Sequence, residues 1–376
     1  MKFTSPIKTL TEAVNSAVLA LPPKAADVRY ESISLQLDRN KLSLFATDGD
    51  VSLITHTEVE SEDKSTVLLN AKKFQDILRN MYDTIAVFKA EKKELDGDMT
   101  FSIKTDRGDY RISGTADGTD TSLNGLNFDI SFAIPAKELS GLIDKTLFAA
   151  STDGMRPAMM GVLFELEPSR IVSVATDGHR LVKVSKKQET GAKQKMKIVI
   201  PARVLGIVQK LVEDGDVAIS VDTNQLRIQF VFGKTTIVAS LISENYPNYE
   251  AVIPLENDKR MLVNRANFSG TVKRVARFSS RGDVRLNIDT DSLKVSAENA
   301  DEGASAEEVL TCDYKSESIM IGFNSQFVEQ ALNHIDSEEV DFEFSSPTRA
   351  TLLKPTGERK NDDEILMLIM PVRINI

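Results

Sequence analysis

The sequence predicts an α+β protein made of three copies of one module, each with two helices packed on antiparallel sheet. Three observations carry that expectation. A short apolar strand, a two-residue break and a helix of about three turns recur six times, roughly 60 to 66 residues apart, which is the mark of a repeat architecture. A longer repeat pairs the six units, because Ala46-Thr47-Asp48-Gly49 returns as Ala175-Thr176-Asp177-Gly178 and, degraded, as Ala297-Glu298-Asn299-Ala300. Turn chemistry lies between alternating apolar runs, so neighbouring strands should pair as hairpins; crossover helices are too few for a parallel sheet.

The six units begin at Phe3-Thr4-Ser5, Leu69-Asn70-Ala71, Ile134-Pro135-Ala136, Ile200-Pro201-Ala202, Val263-Asn264-Arg265 and Phe323-Asn324-Ser325. Each is followed by apolar residues at helical spacing. Phe74, Ile77, Leu78 and Met81 form one such stripe, Leu139, Leu142, Ile143 and Leu147 another, and Val204, Ile207, Val208 and Leu211 a third. Val328, Ala331, Leu332 and Ile335 form the last. Hairpins are expected around Asp48-Gly49 and Asp177-Gly178, and also at Asp96-Gly97-Asp98, Asp106-Arg107-Gly108 and Asp222-Thr223-Asn224. The repeat divides the chain into modules 1–125, 126–253 and 254–376. Residues 113–127, rich in Gly, Thr, Ser and Asp, form the first linker. The second boundary falls near Val252-Ile253-Pro254-Leu255, after the turn residues Tyr246-Pro247-Asn248-Tyr249.

At 41% apolar and 27% charged the composition is that of a folded domain protein. The single cysteine, Cys312, cannot form an intramolecular disulfide, which fits a reducing cytosol. With no apolar leader region and no 18-residue apolar run, neither secretion by a standard signal nor membrane insertion is expected.

Charge is segregated. The helical segments 5–18, 71–80, 136–147, 202–212, 265–277 and 325–334 hold twelve Lys or Arg against five Asp or Glu, while the chain as a whole carries a net charge of −10. Basic helices in an acidic protein offer a surface for phosphates. Base readout is not indicated: there is no zinc-finger spacing, no prominent helix-turn-helix and no Trp. Contact with duplex DNA should therefore be weak and independent of sequence. Catalysis is not indicated either. His56, His179 and His334 lack metal-ligand spacing, no cofactor fingerprint is present, and Asp48 and Asp177 are accounted for by their turns.

Four motifs occur in register on this repeat: Ala175-Thr176-Asp177-Gly178-His179-Arg180-Leu181, Tyr246-Pro247-Asn248-Tyr249, Ile321-Gly322-Phe323-Asn324 and Met370-Pro371-Val372-Arg373. With the opening Met1-Lys2-Phe3-Thr4, they resemble the landmarks of the bacterial DNA polymerase III β subunits, the sliding clamps. The resemblance covers essentially the whole chain. It implies a head-to-tail homodimer closing a ring around duplex DNA, a non-catalytic processivity factor without cofactor or metal, located in the cytoplasm at the nucleoid. Implied partners are the polymerase III α subunit, the clamp-loader δ subunit, and other polymerases and repair proteins that carry clamp-binding peptides.

The resemblance also implies roles for particular residues. A peptide pocket between the second and third modules would be lined by Met159, Thr176, Gly178, His179, Arg180, Leu181, Pro247, Val252, Asn324, Phe327, Pro347, Arg349, Leu368, Ile369, Met370, Pro371 and Val372. Thr176, His179, Arg180 and Asn324 would fix polar atoms of the peptide. DNA would face Lys8, Lys24, Lys72, Arg79, Lys137, Lys145, Arg156, Arg203, Lys210, Arg265 and Lys273. The subunit contact would pair the strand carrying Arg107, Tyr110, Arg111 and Ile112, with Lys73 beside it, against Phe278, Asp301, Glu302, Glu307 and Glu308.

The sequence departs from the family pattern at three places. Glu250-Ala251 stands where basic residues often follow the tyrosine, segment 153–158 lacks the paired tyrosines that touch single-stranded template, and the ending extends slightly past the usual Met-Pro-x-Arg-Leu. The residues also admit two other readings. One is a hydrolase holding a metal on the repeated Thr-Asp-Gly turns, and the other is a peptide-binding scaffold that does not encircle DNA.

Overall fold

The computed structural model describes residues 1–22, 28–92, 98–116, 126–357 and 364–373, with only the backbone of residues 28 and 29. Lys24 and the turn residues Asp96 and Gly97 lie outside the described residues, as do residues 117–125 of the expected first linker. Ser113 to Thr115 are not linker but the end of a strand, Asp109–Thr115. No helix among the described residues is long and apolar enough to cross a membrane.

All six repeat units produce a helix: α1 (Ile7–Ala17), α2 (Ala71–Arg79), α3 (Ala136–Leu147), α4 (Ala202–Leu211), α5 (Arg265–Val275) and α6 (Ser325–Asn333). The break residue before each helix is Asn or Pro, for different physical reasons. Asn70, Asn264 and Asn324 accept a hydrogen bond from the backbone N–H of Lys73, Asn267 and Gln326, satisfying a donor that the first helical turn leaves open. Pro6, at φ −61° and ψ 137°, makes no side-chain cap but fixes the extended entry into α1. The apolar stripes point inward as their spacing requires: α1 buries Ile7, Leu10 and Val14, α4 buries Val204, Ile207 and Val208, and α6 buries Val328, Ala331 and Leu332.

The packing divides into two compact units, residues 1–139 with 203–241, and residues 140–202 with 242–376. In the first, twelve strands follow the hydrogen-bonded order Lys2–Pro6, Ile85–Lys92, Asp98–Lys104, Asp109–Thr115, Lys64–Asn70, Ser32–Asp38, Lys41–Thr47, Val51–Glu58, Thr235–Ser240, Arg227–Phe232, Asp216–Asp222 and Ile130–Pro135. Every pairing is antiparallel. Strand Val51–Glu58 pairs with Thr235–Ser240, and this ladder joins half of the middle repeat to the first sheet. The core is closed by Phe3 stacked on Phe88 at 4.8 Å and by Phe74 edge-on to Phe101 at 5.5 Å.

The second unit holds another twelve-stranded antiparallel sheet. Its order is Met196–Pro201, Gly161–Glu167, Arg170–Thr176, Arg180–Lys187, Glu364–Ile369, Thr351–Pro355, Glu339–Phe344, Lys259–Asn264, Ala304–Asp313, Ser292–Asn299, Asp283–Asp289 and Ile319–Asn324. An aromatic cluster of Phe268, Phe323, Phe342, Phe344 and Tyr314 fills the space beneath α5 and α6. On one face of the sheet Leu163, Val172, Val174, Leu181, Val199, Leu352 and Leu368 pack with Ala350 under Tyr249 of the Tyr-Pro-Asn-Tyr segment.

Candidate peptide and DNA surfaces

The two complete Thr-Asp-Gly turns are built alike, and each consumes its own polar groups. In the first, Asp48 Oδ1 accepts from the N–H of Asp50 (3.0 Å) and Val51 (2.7 Å), while Thr47 Oγ1 donates to the carbonyl of Val51. In the second, Asp177 Oδ1 accepts from the N–H of His179 (2.9 Å) and Arg180 (3.1 Å), and Thr176 Oγ1 donates to the carbonyl of Arg180 at 2.6 Å. The glycines adopt φ of +96° and +91°, a region that favours a residue without Cβ. Asp177 Oδ2 is taken by Arg180 Nε at 2.9 Å. Both oxygens of Asp177 are thus engaged by protein donors, and among the described residues no three His, Cys, Asp or Glu side chains gather as they would around a metal ion.

The second turn is the centre of a surface in the second unit. Strand Arg180–Lys187 pairs with Glu364–Ile369, with Leu181 opposite Leu368. Beyond the ladder, Met370 donates its N–H to the His179 carbonyl (2.8 Å) and Val372 donates to Gly322 (2.9 Å). The Met-Pro-Val segment is therefore suspended between the turn and the strand leading into α6. His179 and Phe327 lie ring to ring at 6.4 Å, and Arg156 covers Gly178, donating to the Asp177 carbonyl at 3.3 Å. Gly178→Ala would place a Cβ 2.8 Å from Arg156 Nη1 at a φ that L side chains rarely adopt. A loss of about 1–3 kcal/mol is expected in denaturant titration.

Several expected pocket residues have other duties. Arg180 has only 10% of its side chain exposed; besides Asp177 its guanidinium donates to the Phe148 carbonyl and to Gln330 Oε1, between the rings of Phe148 and Phe327. Burial pulls its pKa down while Asp177 opposes the shift. Thr176 is buried and spent on its turn, and the Asn324 carbonyl oxygen caps α6, leaving that side chain its amide N–H groups. Leu181 and Leu368 are buried in the cluster covered by Tyr249, and Ile369, opposite Arg180 in the ladder, is buried as well, so none of the three lies on open surface. The accessible apolar groups are Val252, 55% exposed, Met370, 37% exposed, and Pro347, with Met159, Pro247, Phe327, Pro371 and Val372 partly covered. His179 and Arg349 are exposed polar side chains. Sequence reasoning missed Phe148, Gln330 and Met160. The Arg180 contacts with the first two span 32 and 150 residues, which no local pattern reveals, whereas Met160 is a 38% exposed methionine next to one already singled out.

The helix cations also divide. Lys8, Lys72, Lys137, Lys210 and Lys273 are exposed and, among the described residues, have no ion-pair or hydrogen-bond partner. Other cations expected to face DNA are engaged within the protein. Arg203 pairs with Asp48 and donates to the carbonyls of Ala20 (2.7 Å) and Leu21 (3.0 Å); Arg265 donates to Ser337 (3.0 Å) and Leu332 (3.3 Å). Arg79 donates to Asn15, Arg156 lies on the Gly178 turn, and Lys145 pairs with Asp336 at 3.0 Å.

Each unit also presents a strand edge left mostly open. Asp109–Thr115 pairs along its length with Asp98–Lys104 but meets Lys64–Asn70 only at Gly114 and Thr115. Ala304–Asp313 pairs with Ser292–Asn299 but meets Lys259–Asn264 only at Cys312 and Asp313. Tyr110 and Phe278 are exposed, and so is Val309 at 63%, an outward strand position that sequence reasoning passed over. Ile112 is corrected: it is 6% exposed and lies opposite Phe101 in the ladder, so it belongs to the core. The charged candidates have partners of their own, Arg107 with Asp106 and the Tyr82 ring, Arg111 with Asp109, and Glu307 with Lys294, whereas Asp301 and Glu302 are exposed. Lys73 borders a concavity beside Tyr110. Arg274 holds the Glu308 carboxyl down at about 2, so this ion pair persists above the ordinary carboxylate range and is lost as pH falls through about 2.

Helix pairs repeated on antiparallel sheet, with exposed lysines on the helices, define a DNA-clamp fold. The comparisons agree. Models of the DNA polymerase III beta subunit match with the N-terminal domain over residues 1–114, the central domain over 133–248 and the C-terminal domain over 250–373. The beta sliding clamp of Vibrio cholerae is 27% identical over 382 residues, covering 100% of both chains, and that of Staphylococcus epidermidis 24% over 384 residues, covering 99% of each. Among solved structures, the DnaN sliding clamp of Bartonella birtlesii bound to griselimycin superposes with a TM-score of 0.90 at 28% identity, and the Bacillus subtilis clamp with 0.89 at 22%. Both cover 100% of each chain. The chain belongs to the DNA polymerase III beta subunit family, whose members are DNA sliding clamps and non-catalytic processivity factors.

Proposed function

We propose that two copies of this chain, each with clamp modules 1–125, 126–253 and 254–376, close head to tail around duplex DNA in the cytoplasm at the nucleoid and tether DNA polymerase III there. The observation that carries this reading is the pair of open strand edges, one in each unit, with Tyr110 on one and Val309 on the other and Phe278 exposed in the second unit. Unlike edges on one chain fit a heterologous contact, which forms a closed ring when the rotation permits. A closed ring needs no sequence recognition to stay on DNA, and a tethered polymerase keeps its effective concentration at the primer end.

The α subunit of the polymerase, the loader δ subunit, and other polymerases and repair proteins would dock short peptides on the surface around His179, Phe327, Val252, Pro347 and Met370. His179, Phe327 and Met370 meet around the turn, and Val252 and Pro347 are exposed apolar residues of the same unit, which supports a docking surface of apolar and polar character there. Retention on circular DNA, loaded with a compatible loader and ATP, tests the encircling reading. Rapid loss only after the circle is cut at a distant site is expected, whereas equal retention on cut and intact circles would refute it.

The subunit contact has its own test. Tyr110→Ala should weaken dimerisation more than Arg107→Ala in sedimentation, because exposed ion pairs contribute only ~0–1 kcal/mol and apolar burial about 25 cal/mol per Å². The reverse ranking would contradict this account of the edge.

A further inference from the structure

We propose that the surface on which the DNA slides is made of lysine, and that the arginines carried by the same helices are positioning residues that do not touch DNA. The proposal rests on the clamp reading and adds to it the chemistry of the contact. Five exposed lysines without partners among the described residues, Lys8, Lys72, Lys137, Lys210 and Lys273, come from five different helices; Lys73, a sixth, lies beside Tyr110 at the strand edge, and Lys145 of α3 is held by Asp336. The arginines of those helices hold protein acceptors instead: Arg79 an asparagine, Arg203 and Arg265 backbone carbonyls, and Arg274 the Glu308 carboxylate. Arg277, which has no partner among the described residues, follows α5 on the short turn Ala276–Phe278 that carries Phe278.

One cleft shows both kinds of cation. Lys72 of α2 and Lys210 of α4 line a concavity of about 690 Å³ together with Arg203. The two ammonium groups are free, while the guanidinium between α4 and the end of α1 is tied to Asp48 and to the carbonyls of Ala20 and Leu21. For Arg203 to reach a phosphate it would have to abandon these acceptors, leaving groups unpaired for the sake of a solvated surface contact. The lysines lose no protein contact on meeting a phosphate.

The difference in chemistry matters for motion. A guanidinium grips phosphate through two parallel hydrogen bonds in a fixed plane, whereas an ammonium is a compact charge on a flexible stem with no preferred direction. Lysines can pass from one phosphate to the next in small steps, and a loaded ring held in this way meets little friction.

The test uses the full-length protein, fluorescently labelled and loaded on long DNA, with one-dimensional diffusion and thermal unfolding measured for each variant. Replacing the five lysines together by arginine is expected to slow diffusion severalfold. Arg203→Lys is expected to lower the melting temperature and to leave diffusion as in the parent. In a second measurement, binding of the unloaded protein to open duplex, the five Lys→Gln changes should flatten the plot of log K against log salt by about 0.9 per phosphate contact removed, and Arg203→Lys should not. Parent-like diffusion of the five-arginine protein would overturn the proposal, as would a flattened salt plot for Arg203→Lys without loss of stability. If the parent itself is not retained on circular DNA, the clamp reading fails, and the proposal falls with it for that separate reason.

Discussion

Replacing Phe342 by alanine should destabilise the second unit by about 3–5 kcal/mol, because it empties the centre of an aromatic cluster. Phe342 is fully buried and meets Phe323 at 5.7 Å, Phe268 at 6.0 Å and Phe344 at 6.0 Å. Its ring joins strand Glu339–Phe344 to α5 and to the strand that leads into α6, so truncation leaves a void where three aromatic partners lose contacts at once. Because a typical domain is stable by only about 5–15 kcal/mol, denaturant titration should reveal a large drop in midpoint. Phe342→Leu, which refills part of the volume, should recover a share of the loss; equal stability of both variants and the parent would show that this cluster does not carry the unit.

Arg180→Ala should cost about 3–5 kcal/mol as well, by a different route. It strips Asp177 Oδ2, Gln330 Oε1 and the Phe148 carbonyl of the guanidinium donor, leaving Asp177 Oδ1 its backbone donors, and removes the cation packed between Phe148 and Phe327. Asp177 would keep only the N–H donors of its own turn, and Phe327 would lose the cation packed against its ring on the side of Arg180. Thermal unfolding should report the first effect. Weakened binding of a fluorescent clamp-binding peptide, measured well below the melting temperature, should report the second. Arg180→Lys is expected to rescue little, since an ammonium cannot reproduce the guanidinium's separate bonds to Asp177, Gln330 and Phe148. Wild-type stability of Arg180→Ala would contradict the role assigned to this residue.

Local features were the legible ones. Five of the six helices begin where the repeat of strand, break and helix placed them, and both complete Thr-Asp-Gly turns followed from residues within a few positions of each other; the first break was read at Thr4-Ser5, but those residues continue strand Lys2–Pro6 and α1 starts at Ile7, after the proline that fixes its entry. The sequence did not disclose which cations are free, because that depends on acceptors far along the chain: Arg203 meets carbonyls 182 and 183 residues away. Nor did it disclose which apolar residues stay accessible. Leu181 and Leu368 read as pocket-lining residues, yet their strands pair and Tyr249 closes over them. Residue type says what a side chain can do, and long-range packing decides whether it is at liberty to do it.

A lone protomer is an adhesive object. Along most of Asp109–Thr115 and Ala304–Asp313 it presents backbone donors and acceptors that no neighbouring strand among the described residues claims. Two unlike edges on one chain can add copies without limit, so a small error in the angle between successive copies gives a growing fibre instead of a finished circle. In the proposed ring, dilution and any agent that prises the copies apart would therefore carry a hazard beyond lost function. The cell's supply of this protein is safest when almost every copy has already met another, and aggregation should track the concentration of single chains more closely than the total.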